Sequence, residues 1–207
     1  MTDDRSTPET VYRTAQMAIE RGDWEAFFPC LDPGDLRRLG GMAISSTAAG
    51  LHPEIRELAA ELGAPEALLS QLGPEAQAIE NSAVASARDQ PAPGASPEAV
   101  ERWLAQSLHH RDLVKQLDEL AERCLASVDD VPLFVARSER VLRAKLGGGL
   151  VSSSLFQGEQ LLNVTVNGAK AVGTRHRPRG SDEQLGFALR RGVWHIKLFG
   201  KPRARPR

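Results

Sequence analysis

Leu155–Phe199 reads LFQGEQLLNVTVNGAKAVGTRHRPRGSDEQLGFALRRGVWHIKLF, and the period of its apolar residues decides the fold class. Leu162, Val164 and Val166 alternate with Asn163 and Thr165, which predicts a strand with one apolar face. Asn167-Gly168 follows, a pair that tolerates positive φ and predicts a type I′ hairpin turn, with Ala169–Thr174 as the return strand. The basic loop RHRPRGSDE, broken by Pro178 and Gly180, leads to a second hairpin. There Leu185, Phe187 and Leu189 alternate, Arg190-Arg191-Gly192 turns the chain, and Trp194, Ile196 and Leu198 alternate again. His195 and Lys197 fall on the opposite face.

Nine large apolar side chains thus share one expected face. Burying them contributes roughly 14–27 kcal/mol, whereas ordering about 45 residues costs ~1–2 kcal/mol each in backbone entropy. Such a sheet needs an apolar cover, and the helices earlier in the chain are the candidates.

Those helices announce themselves by their starts. Thr7-Pro8-Glu9 combines an N-cap hydroxyl, a proline at the first helical position and an acid at the positive dipole end. Val11, Ala15, Ala18 and Ile19 form its stripe, and Gly22 ends it. Asp23 caps a short second helix, WEAFFPCL, stopped near Pro29. Asp32-Pro33-Gly34 reads as a turn, Asp35–Leu39 as another helical turn, and GGMAISSTAAG, residues 40–50, as a small-residue connector or a loop over a pocket. Further Pro-Glu starts predict helices over 53–62, 65–72, 74–88 and, after the QPAPGAS linker, 97–128. The last carries Val100, Trp103/Leu104, Leu108, Arg111, Val114, Leu117, Leu120/Ala121, Cys124 and Val128 on its expected stripe. Residues 132–146 form one more helix, and Gly147-Gly148-Gly149 joins it to the sheet.

The composition is that of an ordinary globular chain of 207 residues, with no apolar run near the ~20 residues of a membrane span. The polar, acidic start does not read as a signal peptide. Cys30 and Cys124 make neither a metal motif nor a disulfide framework, so both are expected as small buried hydrophobes in a reducing cytoplasm. Abundant arginine and alanine suggest a bacterial gene. The net charge of −1 is uneven: residues 175–207 hold ten Lys/Arg against two acids, +8, leaving −9 for the rest. The candidate contacts for an anionic partner are therefore Arg175, Arg177, Arg179, Lys201, Arg203, Arg205 and Arg207. The tail lacks an aromatic for base stacking and the body is acidic, which argues against nucleic acid.

No catalytic signature stands out. There is no GxSxG, HExxH or CxxC, and the glycine triplet lacks the continuation of a phosphate loop, so no catalytic residue, cofactor or metal is expected. His109 and His110 point about 100° apart on a helix and do not form a metal pair. If the sheet curls and the helices leave its concavity open, Tyr12, Trp24, Phe28 and Trp194 are the candidate pocket walls.

The two ends of the chain resemble the NTF2-like (SnoaL/cystatin-like cone) superfamily. PETVYRTAQMAIERGDWEAFFPCLDP is similar to its opening helix, Gly-Asp-Trp step and second helix, and VTVNGAKAVGT, EQLGFAL and GVWHIKLF resemble its closing strands. The resemblance covers about 75 residues and implies a curved sheet wrapped on helices, often dimeric, in isomerases, dehydratases, ligand binders and partner-binding domains. Residues from about 50 to 130 depart from it as a helical addition.

The expectation is an α+β protein: a curved antiparallel sheet of C-terminal strands packed on N-terminal helices, with a mainly helical insertion. Residues 1–40 supply the first helices, 41–130 the insertion, 131–200 a helix and the sheet, and 201–207 a basic tail. The expected function is a non-enzymatic NTF2-like binding protein of the bacterial cytoplasm, taking a protein partner or a small apolar ligand, with a homodimer as one assembly and no membrane. The alternatives are a small-molecule enzyme with a lidded cone and nucleic-acid binding through the tail.

Overall fold

The computed structural model describes residues 5–47, 52–177 and 180–199. The chain is α+β: the described residues form seven α-helices and one four-stranded antiparallel sheet built from the C-terminal strands. It divides into two compact units, Met1–Leu39 with Asp130–Arg207, and Gly40–Asp129.

In the first unit, α1 (Pro8–Glu20) opens with a reciprocal capping box between Thr7 and Thr10. It buries Val11, Tyr12, Ala15, Ala18 and Ile19. Gly22, at φ +65°, turns the chain so that Asp23 caps α2 (Trp24–Phe27), which runs into a single 3-10 turn, Phe28–Cys30. α3 (Pro33–Thr47) begins where a turn was expected. Asp32 is its cap: the carbonyl accepts from Asp35 and Leu36, and Oδ1 accepts from Gly34 N–H. The connector expected over 40–50 is likewise helical through Thr47. α7 (Val131–Leu146) is capped by Asp130 and closed by Gly147 at φ +67°, the left-handed C-terminal position that glycine fills without a Cβ clash.

The sheet is a meander, β1 (Gln160–Asn167), β2 (Lys170–His176), β3 (Glu183–Arg190) and β4 (Val193–Lys197), each paired with the next. Ala171, Gly173 and Arg175 lie opposite Phe187, Leu185 and Glu183, and Phe187 lies opposite Ile196, so these residues share one face. α1 packs on β4 and β1, and α2 packs on α7. The outer side of β4 is guarded by other backbone: Trp194 N–H donates to Arg5, Leu31 bridges Ile196 in parallel, and Asp32 N–H donates to Ile196.

Two strand expectations needed correction. Asn163 takes φ +52° where the β1–β2 register shifts between Leu162 and Thr165. That bulge breaks the alternation, so Leu162 no longer shares a face with Val164 and Val166. Leu162 and Val166 are 41% and 54% exposed rather than core. The first hairpin also turns one residue later than expected. Asn167 pairs with Lys170, and only Gly168 of the loop pair Gly168-Ala169 has positive φ, as in a type II′ turn. The I′ pattern occurs instead in the second hairpin, where Arg191 and Gly192 take φ +50° and +81° between the paired Arg190 and Val193.

The second unit holds the distal part of α3 with α4 (Pro53–Glu61), α5 (Glu66–Arg88) and α6 (Pro97–Ala126). Pro74 was expected to open a helix but lies inside α5. Its predecessor is Gly73, which has no Cβ to clash with the proline ring, so the helical conformation survives there. Gly40 lets α3 approach Leu125 so closely that a Cβ would stand 2.7 Å from its side chain. Along α6, the less exposed residues include the series Ala99, Trp103, Gln106, His110, Leu113, Leu117, Leu120 and Cys124, in alternating steps of four and three, with Ser107, Ala121 and Leu125 beside it. This seam faces α5, with Trp103 Nε1 donating to the Ser86 carbonyl at 3.2 Å. The expected stripe matches it from Leu117 onward, with Leu120, Ala121, Cys124 and Val128 buried, but its first half is rotated away: Val100, Leu104, Leu108 and Val114 are exposed. Both Cys30 and Cys124 are buried and unbridged.

Candidate functional site: an ion-paired wall and a cavity at the end of the sheet

The inward face of β2 and β3 changes chemistry in its last row. Gly173 and Leu185 are followed by Arg175 and Glu183, still at inward positions and still opposite one another. Arg175 is buried there, so its charge must be paired, whereas Glu183 at the strand start is half-exposed. Arg175 Nε lies 3.0 Å from Glu159 Oε2, and its NH2 lies 2.6 Å from Glu183 Oε2. Arg177 repeats the arrangement one step outward, with Nε 3.1 Å from Glu159 Oε1 and NH1 and NH2 on the two oxygens of Glu183. Two arginines and two glutamates thus neutralise one another, and the arginine forks supply the planar geometry that carboxylates accept.

Glu159 is held at the end of the loop before β1. Gln16 of α1 donates to the carbonyls of Phe156 and Glu159 at 2.8 and 3.1 Å. Phe156 is fully buried with φ +65°, an unusual conformation for a bulky residue. Its ring packs on Tyr12 at 4.9 Å and Phe27 at 6.5 Å, and the Arg175 guanidinium lies 5.6 Å from its centroid. Burial raises the pKa of Glu159 despite its two arginines. Burial, followed by the Glu159 charge, pushes the Tyr12 hydroxyl well above its usual range. That hydroxyl turns toward Glu159 but falls outside strict hydrogen-bond geometry.

A second buried charge holds the facing segment. Glu139 of α7 is inaccessible to solvent; it pairs with Arg143 four residues on and accepts the Leu150 N–H. Gly149 lies so close to this carboxylate that a Cβ would collide with it. Arg143 also donates to the Val151 carbonyl at 2.6 Å, with its guanidinium 4.4 Å from the Trp24 ring centroid. Burial raises the pKa of Glu139, and the Leu150 N–H and Arg143 oppose that shift.

Between these two constructions lies a cavity of about 810 Å³. Leu150, Val151, Ser152 and Leu155 line it from the segment that Glu139 anchors. Arg175, Glu183, Gln184 and Leu185 line it from the sheet, and Lys197, Leu198 and Phe199 from the end of β4. The gap opens because β4 pairs with β3 only as far as Lys197 opposite Gly186. Beyond that, Leu198 and Phe199 turn their N–H groups to Asp35 Oδ2, at 2.6 and 3.5 Å. Arg38 stands 4.5 Å over the Phe199 ring. Burial raises the Asp35 pKa against the pull of those two donors. The size and the apolar-with-polar lining are those of a small-ligand pocket.

Tyr12, Trp24, Phe28 and Trp194 are all buried, and none of them lines this cavity. Trp24 contacts Phe27 and Phe28, while Trp194 lies opposite Leu189. Arg175 and Arg177 are paired to Glu159 and Glu183 within the chain. Arg179, Lys201, Arg203, Arg205 and Arg207 lie outside the described residues. Residues that sequence reasoning passed over are Glu139, Glu159, Glu183, Asp35 and Gln184. Of these, only Glu139 with Arg143 carries a local signal, the i,i+4 spacing on a helix.

Among the described residues no group of three or more His, Cys, Asp or Glu could hold a metal ion, and no helix is long and apolar enough to cross a membrane. No protein-family model matches the chain, and no curated protein or solved structure matches it significantly.

Proposed function

We propose that the chain is a non-enzymatic binding protein of NTF2-like type, whose cavity beside the end of β3 takes a small, largely apolar ligand. The observation that carries this is the coexistence of an 810 Å³ cavity with wall carboxylates that are bound to arginines. Glu183 accepts from two arginines, and Glu159 and Glu139 are each held by arginine. General acid–base catalysis needs a group within reach of substrate whose proton is not already committed. Six apolar side chains, Leu150, Val151, Leu155, Leu185, Leu198 and Phe199, supply the favourable surface.

The test is a fluorescence titration with 1-anilinonaphthalene-8-sulfonate on the folded full chain. Saturable enhancement is expected, and Ser152→Trp, which places an indole at the cavity rim, should weaken it at least tenfold without moving the unfolding midpoint. Enhancement unchanged by Ser152→Trp and by Leu155→Trp would overturn the reading.

A further inference from the structure

Among the described residues, one wall of the cavity includes strand backbone with no partner strand beside it, at Gln184. In the β3–β4 ladder, Arg190 and Val193 close a two-residue loop, which makes them a hydrogen-bonded pair. Hydrogen-bonded pairs recur at every second residue, so Ala188 with His195 and Gly186 with Lys197 also exchange bonds. Even-numbered residues of β3 therefore turn both N–H and C=O toward β4, and odd-numbered residues toward β2. Leu189 agrees independently, since its N–H donates to Ala169 on the β2 side. The next even residue is Gln184. Continuing the register places Phe199 opposite it, but Phe199 N–H has left for Asp35. Among the described residues no backbone hydrogen bond joins Gln184 on its β4 side. Gln184 is exposed and lines the cavity.

We infer that the cavity recognises a peptide-like ligand in extended conformation, which pairs through one residue's N–H and C=O with the free N–H and C=O of Gln184. The inference rests on the ligand-binding reading of the cavity and names the ligand's chemistry. An extended residue exchanges two hydrogen bonds with a strand edge, and its side chain projects out of the plane of the pairing. Leu185 and Leu155 on the cavity wall suit an aliphatic side chain there. An apolar ligand without amides leaves the Gln184 groups to water and gains nothing from them. Arg175 and Glu183 on this wall already satisfy one another, so the directional recognition next to them falls to the backbone.

The experiment is a ¹⁵N-resolved NMR titration of the full chain with N-acetyl-leucine N′-methylamide, which carries the two amides of a single strand residue. A downfield shift of the Gln184 amide proton is expected, saturating in the millimolar range that two hydrogen bonds and one side chain support. The same compound methylated on the leucine nitrogen has lost the paired donor and should bind at least fivefold more weakly. Equal binding of both compounds, or no perturbation of Gln184 by either, overturns the inference. The dye titration remains a separate readout: saturable dye binding lost in Ser152→Trp, without Gln184 response to the amide, leaves the cavity a ligand site and removes only its peptide character.

Discussion

Two ends of one sheet face are finished in opposite ways. Toward its middle the inward residues are Ala171, Phe187 and Ile196, all buried, and the same unit buries Phe27, Phe28 and Phe134 completely. Two repeats further along β2 and β3 the pair on this face is the buried Arg175 with the half-exposed Glu183, and the packing gives way to a cavity. The register does not change between the two ends; only the side chains do. An apolar pair closes the core by contact alone, whereas an ionic pair recruits Glu159 and Arg177 to stay solvated by protein. Bulky forked side chains held in that geometry leave space beside them that aliphatic residues fill only partly.

The contrast is sharpest in stability. Phe187→Ala removes a ring from the filled end and should destabilise by about 4 kcal/mol, read as a lower urea midpoint with unchanged slope. A loss below ~1 kcal/mol would mean that the middle of the face is not close-packed. Arg175→Ala should cost about 3 kcal/mol, because Glu159 keeps its burial and loses one of its two arginines. If that variant is as stable as its parent, water already solvates the ionic end, and the comparison fails.

A subtler difference appears with pH. Glu139, Glu159 and Asp35 have folded-state pKa values raised by burial, so the folded chain holds their protons more tightly than the unfolded chain. Their contribution is most favourable below the ordinary carboxylate range and declines as pH rises through the raised values. Glu139→Gln removes one of these groups, and its stability relative to the parent should rise between pH 4 and pH 7. Urea midpoints of the two proteins measured across that range decide it; a constant difference would place Glu139 in water.

The smallest effects should separate the two hairpins. Arg191 has φ +50° in the I′ loop, so Arg191→Asn should stabilise by about 0.5 kcal/mol. Asn167 does not have positive φ, so Asn167→Ala should change the thermal midpoint by less than about 1 °C. An Asn167→Ala loss as large as that of a left-handed asparagine would restore the turn that the dipeptide suggests.

That pair of turns marks where local sequence stopped being informative. Asn-Gly is a strong local preference, but its register is set jointly by the bulge at Asn163 and the pairing of β2 with β3. The bulge had no local signature, since asparagine in a strand is as readily an outward polar residue as a left-handed one. The helix of residues 33–47 was obscured by its glycines, which lower helical propensity on their own account. Gly40 is there for the close approach of Leu125, a requirement visible only once the helices are packed.

The amino-acid sequence by itself determined the α+β class, the strand-rich C-terminus and most helix starts. Caps, proline positions and two-residue alternation act over a few neighbours, and tertiary contacts seldom reverse them. Thr7, Asp23, Ser96 and Asp130 each cap as their local chemistry requires. Tertiary structure alone decided the candidate site. Glu159, Arg175, Arg177 and Glu183 become one cluster only through strand register, and Asp35 meets Leu198 across more than 160 residues of chain. β4 pairs with β3 only as far as Lys197 because Leu198 and Phe199 turn to Asp35, a carboxylate from a distant helix.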